Sequence, residues 1–292
     1  MANPGRLISR FGAEMLIEDS SGEIHRCTGR KKVADAVCGD NVTWEHNAQG
    51  NDVVTGIEPR KNLLKRPVSY GREKNIAANI DQVVIVLGYG MKPNWNMLDH
   101  YLVATHALDA RPVIICNKLD LADQDNFDRE HYLQDYEKLG YLVLRCSCST
   151  EQGIPELRNI LKDKTNILVG QSGVGKSSIV KVLHPMLDIR IGELSDASGE
   201  GQHTTSVAML YHLPDGGELI DSPGVRDFKP ENFERNIIEK GFPEFQQSLG
   251  ECRFHNCSHV KEPGCRIKER LEKGEILPRR YESYLRLISE QE

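Results

Sequence analysis

The chain has 292 residues, 39% hydrophobic and 27% charged, with a formal net charge of −6. That balance belongs to a globular protein and excludes collagen-like, low-complexity and wholly disordered chains. No apolar run approaches the ~20 residues that span a bilayer, and the first 20 residues hold no apolar segment of the kind a secretory leader needs.

At ~150 residues per domain, this length predicts two or three domains. The acidity is confined to the middle. Residues 67–251 carry a net −9, whereas 1–66 carry +1 and 252–292 carry +2. Neutral to basic flanks permit a polyanionic partner without requiring one.

Five short β-leaning segments come first: RLISRF (6–11), AEMLIED (13–19), EIHRCT (23–28), NVTWE (41–45) and DVVTGIEP (52–59). Turn residues punctuate them at 19–22, 38–40 and 47–51. Five strands in so short a stretch predict a small barrel of the OB type. An SH3-like barrel or a plain hairpin stack fits the same pattern. Trp44 and Phe11 fit either barrel core or base stacking, with core the more common use. Arg30-Lys31-Lys32 reads as a solvated basic loop.

A basic stretch holding Arg60, Lys61, Lys65 and Arg66 reads as a linker. Then the period changes. Continuous apolar runs at 82–90, 112–118, 141–147 and 165–170 alternate with helical stretches at 96–109, 128–139 and 155–162. Runs of that kind are buried parallel strands. The alternation predicts an α/β layer with a mostly parallel sheet. After residue 230 the pattern stops, and helices split near Gly274 and Pro278 surround a cysteine cluster. The expected units are 1–66, 67–230 and 231–292.

Eight cysteines are present. Cys27, Cys38, Cys116, Cys146 and Cys148 are scattered, whereas Cys252, Cys257 and Cys265 fall close together with His259 among them. This is not an evenly spread disulfide framework; it fits a reducing compartment and one metal site. Three thiolates and an imidazole suit a closed, tetrahedral, structural Zn²⁺. His255 competes with His259 for the fourth place. Such a metal would fold a unit too small to bury a sufficient core. Arg279-Arg280 reads as another solvated basic pair.

Gly170-Gln171-Ser172-Gly173-Val174-Gly175-Lys176-Ser177 fits the G-x-x-x-x-G-K-[ST] pattern, followed by Ser178. It follows an apolar strand and opens a helix, SIVKVL (178–183), which is the context a phosphate loop needs. Its glycines let backbone N–H groups close on phosphate oxygens, helped by the helix terminus. Lys176 is expected to reach the β- and γ-phosphates, and Ser177 to ligate Mg²⁺.

Asn117-Lys118-Leu119-Asp120 closes another apolar strand. A carboxylate there can accept two hydrogen bonds from the guanine N1–H and N2–H₂ edge; adenine offers no such donor pair. Asn117 and Lys118 would brace the loop and cover the base, and Ser147 would support it. Asp221-Ser-Pro-Gly224 supplies an acid for Mg²⁺ through water and a glycine N–H to sense the γ-phosphate. Thr204 and Thr205, in GQHTT (201–205), offer a hydroxyl to Mg²⁺.

The order of these pieces is unusual. In an ordinary GTPase the phosphate loop precedes the base-reading loop, but here 117–120 precedes 170–177, then 203–205, then 221–224. The domain is circularly permuted, a change that neighbouring surface termini make tolerable. This order, with IAANIDQ (76–82), a β-rich N-terminal unit and a Cys/His C-terminal unit, resembles the RsgA (YjeQ/YloQ) family of small-ribosomal-subunit-dependent GTPases. The resemblance spans nearly the whole chain. It implies an α/β P-loop G domain, circularly permuted, between an N-terminal OB-type barrel and a small helical zinc-binding domain. It also implies a role in late maturation of the small subunit, with GTP hydrolysis accompanying release. The short N-terminus lacks the basic extension some members carry, so no RNA contact is expected from such a segment.

The position after the switch glycine, where many GTPases hold a water-orienting Gln, is Val225. An apolar side chain cannot order water. His203 is the alternative in cis, and the resemblance points the same way. Lys176 would act on the phosphates. The expected ligands are GTP or GDP, Mg²⁺ and one structural Zn²⁺. The expected partners are the small ribosomal subunit and its rRNA, with no membrane, in a cytoplasmic monomer. A GTP-regulated RNA-binding switch with incidental turnover is the alternative function, and an ATP-dependent enzyme, which Asp120 disfavours, is a third.

Overall fold

The computed structural model describes residues 2–29, 31–47, 52–68, 72–186, 207–221 and 233–290. The first five strands are β1 (Asn3–Phe11), β2 (Glu14–Glu18), β3 (Ile24–Gly29), β4 (Asn41–Glu45) and β5 (Asp52–Ile57). They pair in the order β1-β2-β3-β5-β4, and β4 returns to pair with β1, Asn3 opposite Trp44. The barrel is therefore closed. All its pairs are antiparallel except β3 with β5, the OB-type topology. Leu7, Met15, Ile17, Cys27, Val42, Trp44 and Val54 fill it. Trp44 is a core residue, 1% exposed, and its indole N–H donates to the Pro4 carbonyl at 3.3 Å.

β1 and β2 do not show the simple alternation of a half-solvated strand. Leu7, Ile8 and Ser9 are all buried, as are Met15, Leu16 and Ile17. The reason is two cores on two faces. Leu7, Met15 and Ile17 point into the barrel, while Ile8 and Leu16 join the larger core beyond it.

The stretch expected to be a basic linker is instead ordered, and the residue-66 boundary falls inside a strand. β6 (Leu63–Val68) and β7 (Arg72–Ala78) form an antiparallel hairpin. Arg60 grips Asp40 with two hydrogen bonds, at 2.7 and 2.9 Å. Lys61 reaches Asp81 at 2.8 Å, and Asn62 exchanges two hydrogen bonds with Ile80. Three of the cations that suggested solvent, Arg60, Lys61 and Lys65, are paired with carboxylates, and one side of the hairpin buries Leu64, Ile76 and Ala77.

Next come β8 (Gln82–Gly88), α1 (Trp95–Ala107), β9 (Arg111–Asn117), α2 (Arg129–Lys138), β10 (Leu142–Arg145), α3 (Ile154–Leu161), β11 (Thr165–Val169), α4 (Lys176–Leu183), β12 (Met209–His212) and β13 (Glu218–Asp221). Their sheet runs β10-β9-β8-β11-β13-β12, parallel except for β12. β8 and β11 are buried along their whole length, as expected for strands with helices on both faces. The fold is a P-loop α/β domain of permuted order. β11, late in the chain, lies beside β8, the first strand of the domain. β1 also pairs with β12, Ser9 opposite Met209, so the sheet continues into the barrel.

The C-terminal unit holds α5 (Arg235–Lys240), a 3₁₀ segment (Pro243–Ser248), α6 (Arg266–Glu272) and α7 (Pro278–Ser289). Phe242, Phe245, Ile267, Tyr284 and Leu287 form its core, joined by Val103 of α1. Arg279-Arg280 is not a solvated pair. Arg280 is 1% exposed and binds Glu244 at 2.7 and 3.0 Å and Asp99 at 2.5 Å. Arg279 lies over the rings of Trp95, Tyr132 and Tyr136. α7 shows why: it packs against α1, and Asp99 of α1 is fully buried and needs cations. Lys31 and Lys32 do face solvent; Arg30 lies outside the described residues.

Candidate nucleotide site and metal centre

In a parallel sheet, ligands gather beyond the carboxyl ends of the strands. β8, β9, β10, β11 and β13 all end on that side, and four sequence signals stand there. Asn117 is the last residue of β9, directly opposite Gly88 of β8. Ser147 follows β10, the 170–178 loop follows β11, and Asp221 ends β13, half-buried.

Three glycines of the 170–178 loop have positive φ: Gly170 (140°), Gly173 (82°) and Gly175 (97°). Two also sit where a side chain would collide. A Cβ on Gly170 would lie 2.3 Å from the Val86 carbonyl oxygen, and one on Gly175 would lie 2.3 Å from Asn117 Nδ2. The loop needs glycine for conformation and for space. Lys176 Nζ donates to the carbonyls of Gly170 and Gln171, at 2.5 and 2.9 Å, folding the ammonium across the loop. Val174 is buried, whereas Ser172, Ser177 and Ser178 are exposed around the start of α4. Backbone N–H groups at a helix start lack intrahelical partners, so this rim offers donors to an anion.

The 117–120 loop is pinned from several sides. Asn117 is 1% exposed; its Nδ2 donates to Val174 O at 3.0 Å, and its Oδ1 accepts from Cys148 N at 3.3 Å. Lys118 adopts the left-handed conformation, φ 63°, turning the chain into the 3₁₀ segment Leu119–Gln124. Leu119 N donates to Cys146 O at 2.9 Å. Ser147 is fully buried; its hydroxyl donates to Asp120 Oδ1 and accepts from the N–H groups of Ser149 and Thr150. One Asp120 oxygen is therefore committed to holding the loop.

His203, Thr204, Thr205, Gly224 and Val225 lie outside the described residues. Sequence reasoning missed the close approach at Gly88, where a Cβ would lie 3.2 Å from Val174 Cα. The glycine closing an apolar strand was its one signal. The scattered thiols are packing groups: burial pushes Cys27, Cys116 and Cys146 up to about 12.

Far along the chain, Cys252, Cys257, His259 and Cys265 bring one ligand atom each within 4.8 Å of one another. His255, the rival, is exposed and lies outside the group. The loop is braced around it. His259 takes a left-handed φ of 61°. Tyr281 and Tyr284 of α7 donate to the carbonyls of His259 and Ser258, at 2.6 and 2.8 Å. Glu262 accepts from the hydroxyl and N–H of Ser258 and from the N–H groups of Val260 and Lys261, which hold its carboxyl down at about 2. Burial pushes the Cys257 thiol up to about 12 and the His259 imidazole below its usual value. A divalent cation reverses the thiol's preference, because it ligates thiolate, and agrees with the imidazole's, because it ligates the neutral ring. Soft donors at this separation fit a tetrahedral ion with no open position.

Comparison with known proteins agrees with the geometry. A family model described as RsgA GTPase matches residues 57–231. The chain is 43% identical over 97% of its length to the small ribosomal subunit biogenesis GTPase RsgA of Hahella chejuensis, covering 83% of that protein. It is 45% identical over 98% of its length to the protein of that name from Vibrio cholerae, covering 76% of it. Among solved structures, YjeQ from Thermotoga maritima superposes with a TM-score of 0.80 at 30% identity, over 100% of this chain and 99% of that one. YloQ, described as a circularly permuted GTPase, gives 0.76 at 26% identity, over 100% and 95%.

Proposed function

The chain belongs to the RsgA GTPase family, and from that premise we propose that it hydrolyses GTP on the small ribosomal subunit, assisting late maturation, with hydrolysis accompanying release. The observation that carries this is the hydrogen bond from Asn117 to Val174, which fastens a guanine-type loop to a phosphate-type loop. Neither loop alone specifies GTP. Held together at the sheet's carboxyl end, they define one nucleotide.

In this reading Asp120 accepts the guanine N1–H and N2–H₂ edge with the lone pairs that Ser147 leaves open. Lys118 covers the base. The N–H groups of Gly170 to Ser178 and the Lys176 ammonium hold the phosphates. Ser177, Asp221 and one of Thr204 and Thr205 serve Mg²⁺, the Gly224 N–H senses the γ-phosphate, and His203 orders the attacking water. Mg²⁺ would neutralise charge developing on the phosphates. Cys252, Cys257, His259 and Cys265 would hold a structural Zn²⁺, which folds the C-terminal unit and takes no part in the chemistry. The protein acts as a cytoplasmic monomer on rRNA of the small subunit.

The test is GTP turnover with and without purified small subunits, for wild type, Ser177→Ala and His203→Ala. Stimulation in wild type that is lost in Ser177→Ala supports the proposal, and the His203→Ala result assigns water ordering. Tight guanine-nucleotide binding with no stimulation would overturn it in favour of a nucleotide-controlled binding switch. Asp120→Asn should move preference from guanine to xanthine nucleotides, and an unmoved preference would sink the base assignment.

A further inference from the structure

α5 sets a carboxylate against the metal loop. Glu239 Oε1 lies 3.6 Å from His259 Nε2 and 3.2 Å from Arg235 Nε. The oxygen is buried and accepts no formed hydrogen bond. The other ring nitrogen, His259 Nδ1, faces Cys252 Sγ at 3.5 Å and Cys265 Sγ at 3.4 Å. The two faces of the imidazole thus look in different directions, one into the thiol cluster and one at Glu239.

A metal on Nδ1 requires the ring proton on Nε2. His259 is 3% exposed, so that proton does not open freely onto water and needs a protein acceptor. We propose that Glu239 is a positioning residue of the metal centre, accepting the Nε2–H of His259 and so fixing the tautomer that leaves Nδ1 to ligate. The 3.6 Å gap exceeds a formed hydrogen bond. Ligation at Nδ1 makes the Nε2–H a stronger donor and supplies the pull to close it. The orphaned oxygen on Glu239 and the need for an acceptor on His259 are two halves of one interaction. α5 also packs against α1 and α7, so the same contact fastens the metal loop to the helix layer of the α/β domain.

This rests on reading the cluster as a zinc site, and the two can fail separately. Bound zinc is first counted in purified wild type. No zinc overturns the reading and the proposal together. With one zinc per chain, release to a chromophoric chelator is timed for wild type, Glu239→Ala, Glu239→Gln and Arg235→Ala. Glu239→Ala should release zinc roughly 10- to 100-fold faster, the usual cost of losing an outer-shell partner. Glu239→Gln keeps an acceptor oxygen and should recover most of that loss. Arg235→Ala removes the other partner of Glu239 and should behave as wild type. In proton NMR, the His259 Hε2 resonance should persist in wild type and Glu239→Gln. Wild-type release in Glu239→Ala, or equal loss in the Ala and Gln variants, overturns the proposal. So does an Hε2 that exchanges away in zinc-loaded wild type, which needs no variant to fold.

Discussion

Asn117 Nδ2 and the Val174 carbonyl oxygen meet at 3.0 Å, joining two loops 57 residues apart in sequence. The bond is buried, and its donor sits where a Cβ on Gly175 would have to go. One side chain therefore spaces the 117–120 loop from the 170–178 loop. Asn117→Ala removes the tie and leaves a buried carbonyl unpaired, a cost of about 1–3 kcal/mol. Guanine-nucleotide affinity should fall roughly 10- to 100-fold. Titration with a fluorescent GDP checks this, and an unchanged affinity would show that the loops register independently.

Arg280 carries a larger structural weight. It lies between Asp99 and Glu244, and all three are buried. Arg280→Met takes the guanidinium from Glu244 and leaves Asp99 with the weaker Arg279 contact at 3.4 Å, and should cost about 3–5 kcal/mol in urea unfolding. Adding Asp99→Asn and Glu244→Gln should return much of that loss. If the triple variant is no more stable than Arg280→Met, the cost lies in packing rather than charge.

Asp81 should give a measurable dependence on pH. Burial raises its carboxyl pKa, but the Lys61 ammonium at 2.8 Å and the Thr165 N–H at 2.9 Å outweigh burial and hold it below the usual value. A carboxylate lowered in the fold stabilises above its unfolded pKa of about 3.9 and loses that contribution as pH falls through the lower folded value. The stability gap between wild type and Asp81→Asn should stay constant from about pH 6 to 8 and shrink below about pH 4. Melting curves across that range decide it; a gap that widens in acid would contradict the sign.

Removing the metal should be visible in thiol chemistry. Cys252, Cys257 and Cys265 gather at the cluster, whereas Cys27, Cys38, Cys116 and Cys146 are buried elsewhere. A chelator added to zinc-loaded protein should raise the count of reagent-accessible thiols by three and lower the melting temperature. No new reactive thiols would mean that packing closes the loop without an ion.

The chemistry of this chain was more legible than its joints. The 170–177 and 117–120 loops announce themselves because phosphate and guanine each demand particular residue types at fixed spacing. Their placement at strand ends follows from long apolar runs. The β6–β7 hairpin did not announce itself, since Lys65, Arg66 and Pro67 read as solvent-loving, although their strand partners, Asn75, Lys74 and Glu73, lie close in sequence. Arg280 misled for the same reason. Its burial is set by Asp99, 181 residues away, and no local pattern encodes a contact of that range. β12 is four residues long, too short for periodicity to register.

The pairing of Ser9 with Met209 has a consequence for any attempt to take the protein apart. β12 is the last strand of the α/β sheet, and β1 meets its outer side at one pair, Ser9 opposite Met209. A fragment beginning after the barrel would lose that pair and uncover the β12 edge, whose unpaired backbone groups are a template for strand addition by a second molecule. The barrel is thus also a guard against self-association. The isolated α/β unit should be judged for aggregation before any loss of activity is ascribed to a missing RNA surface.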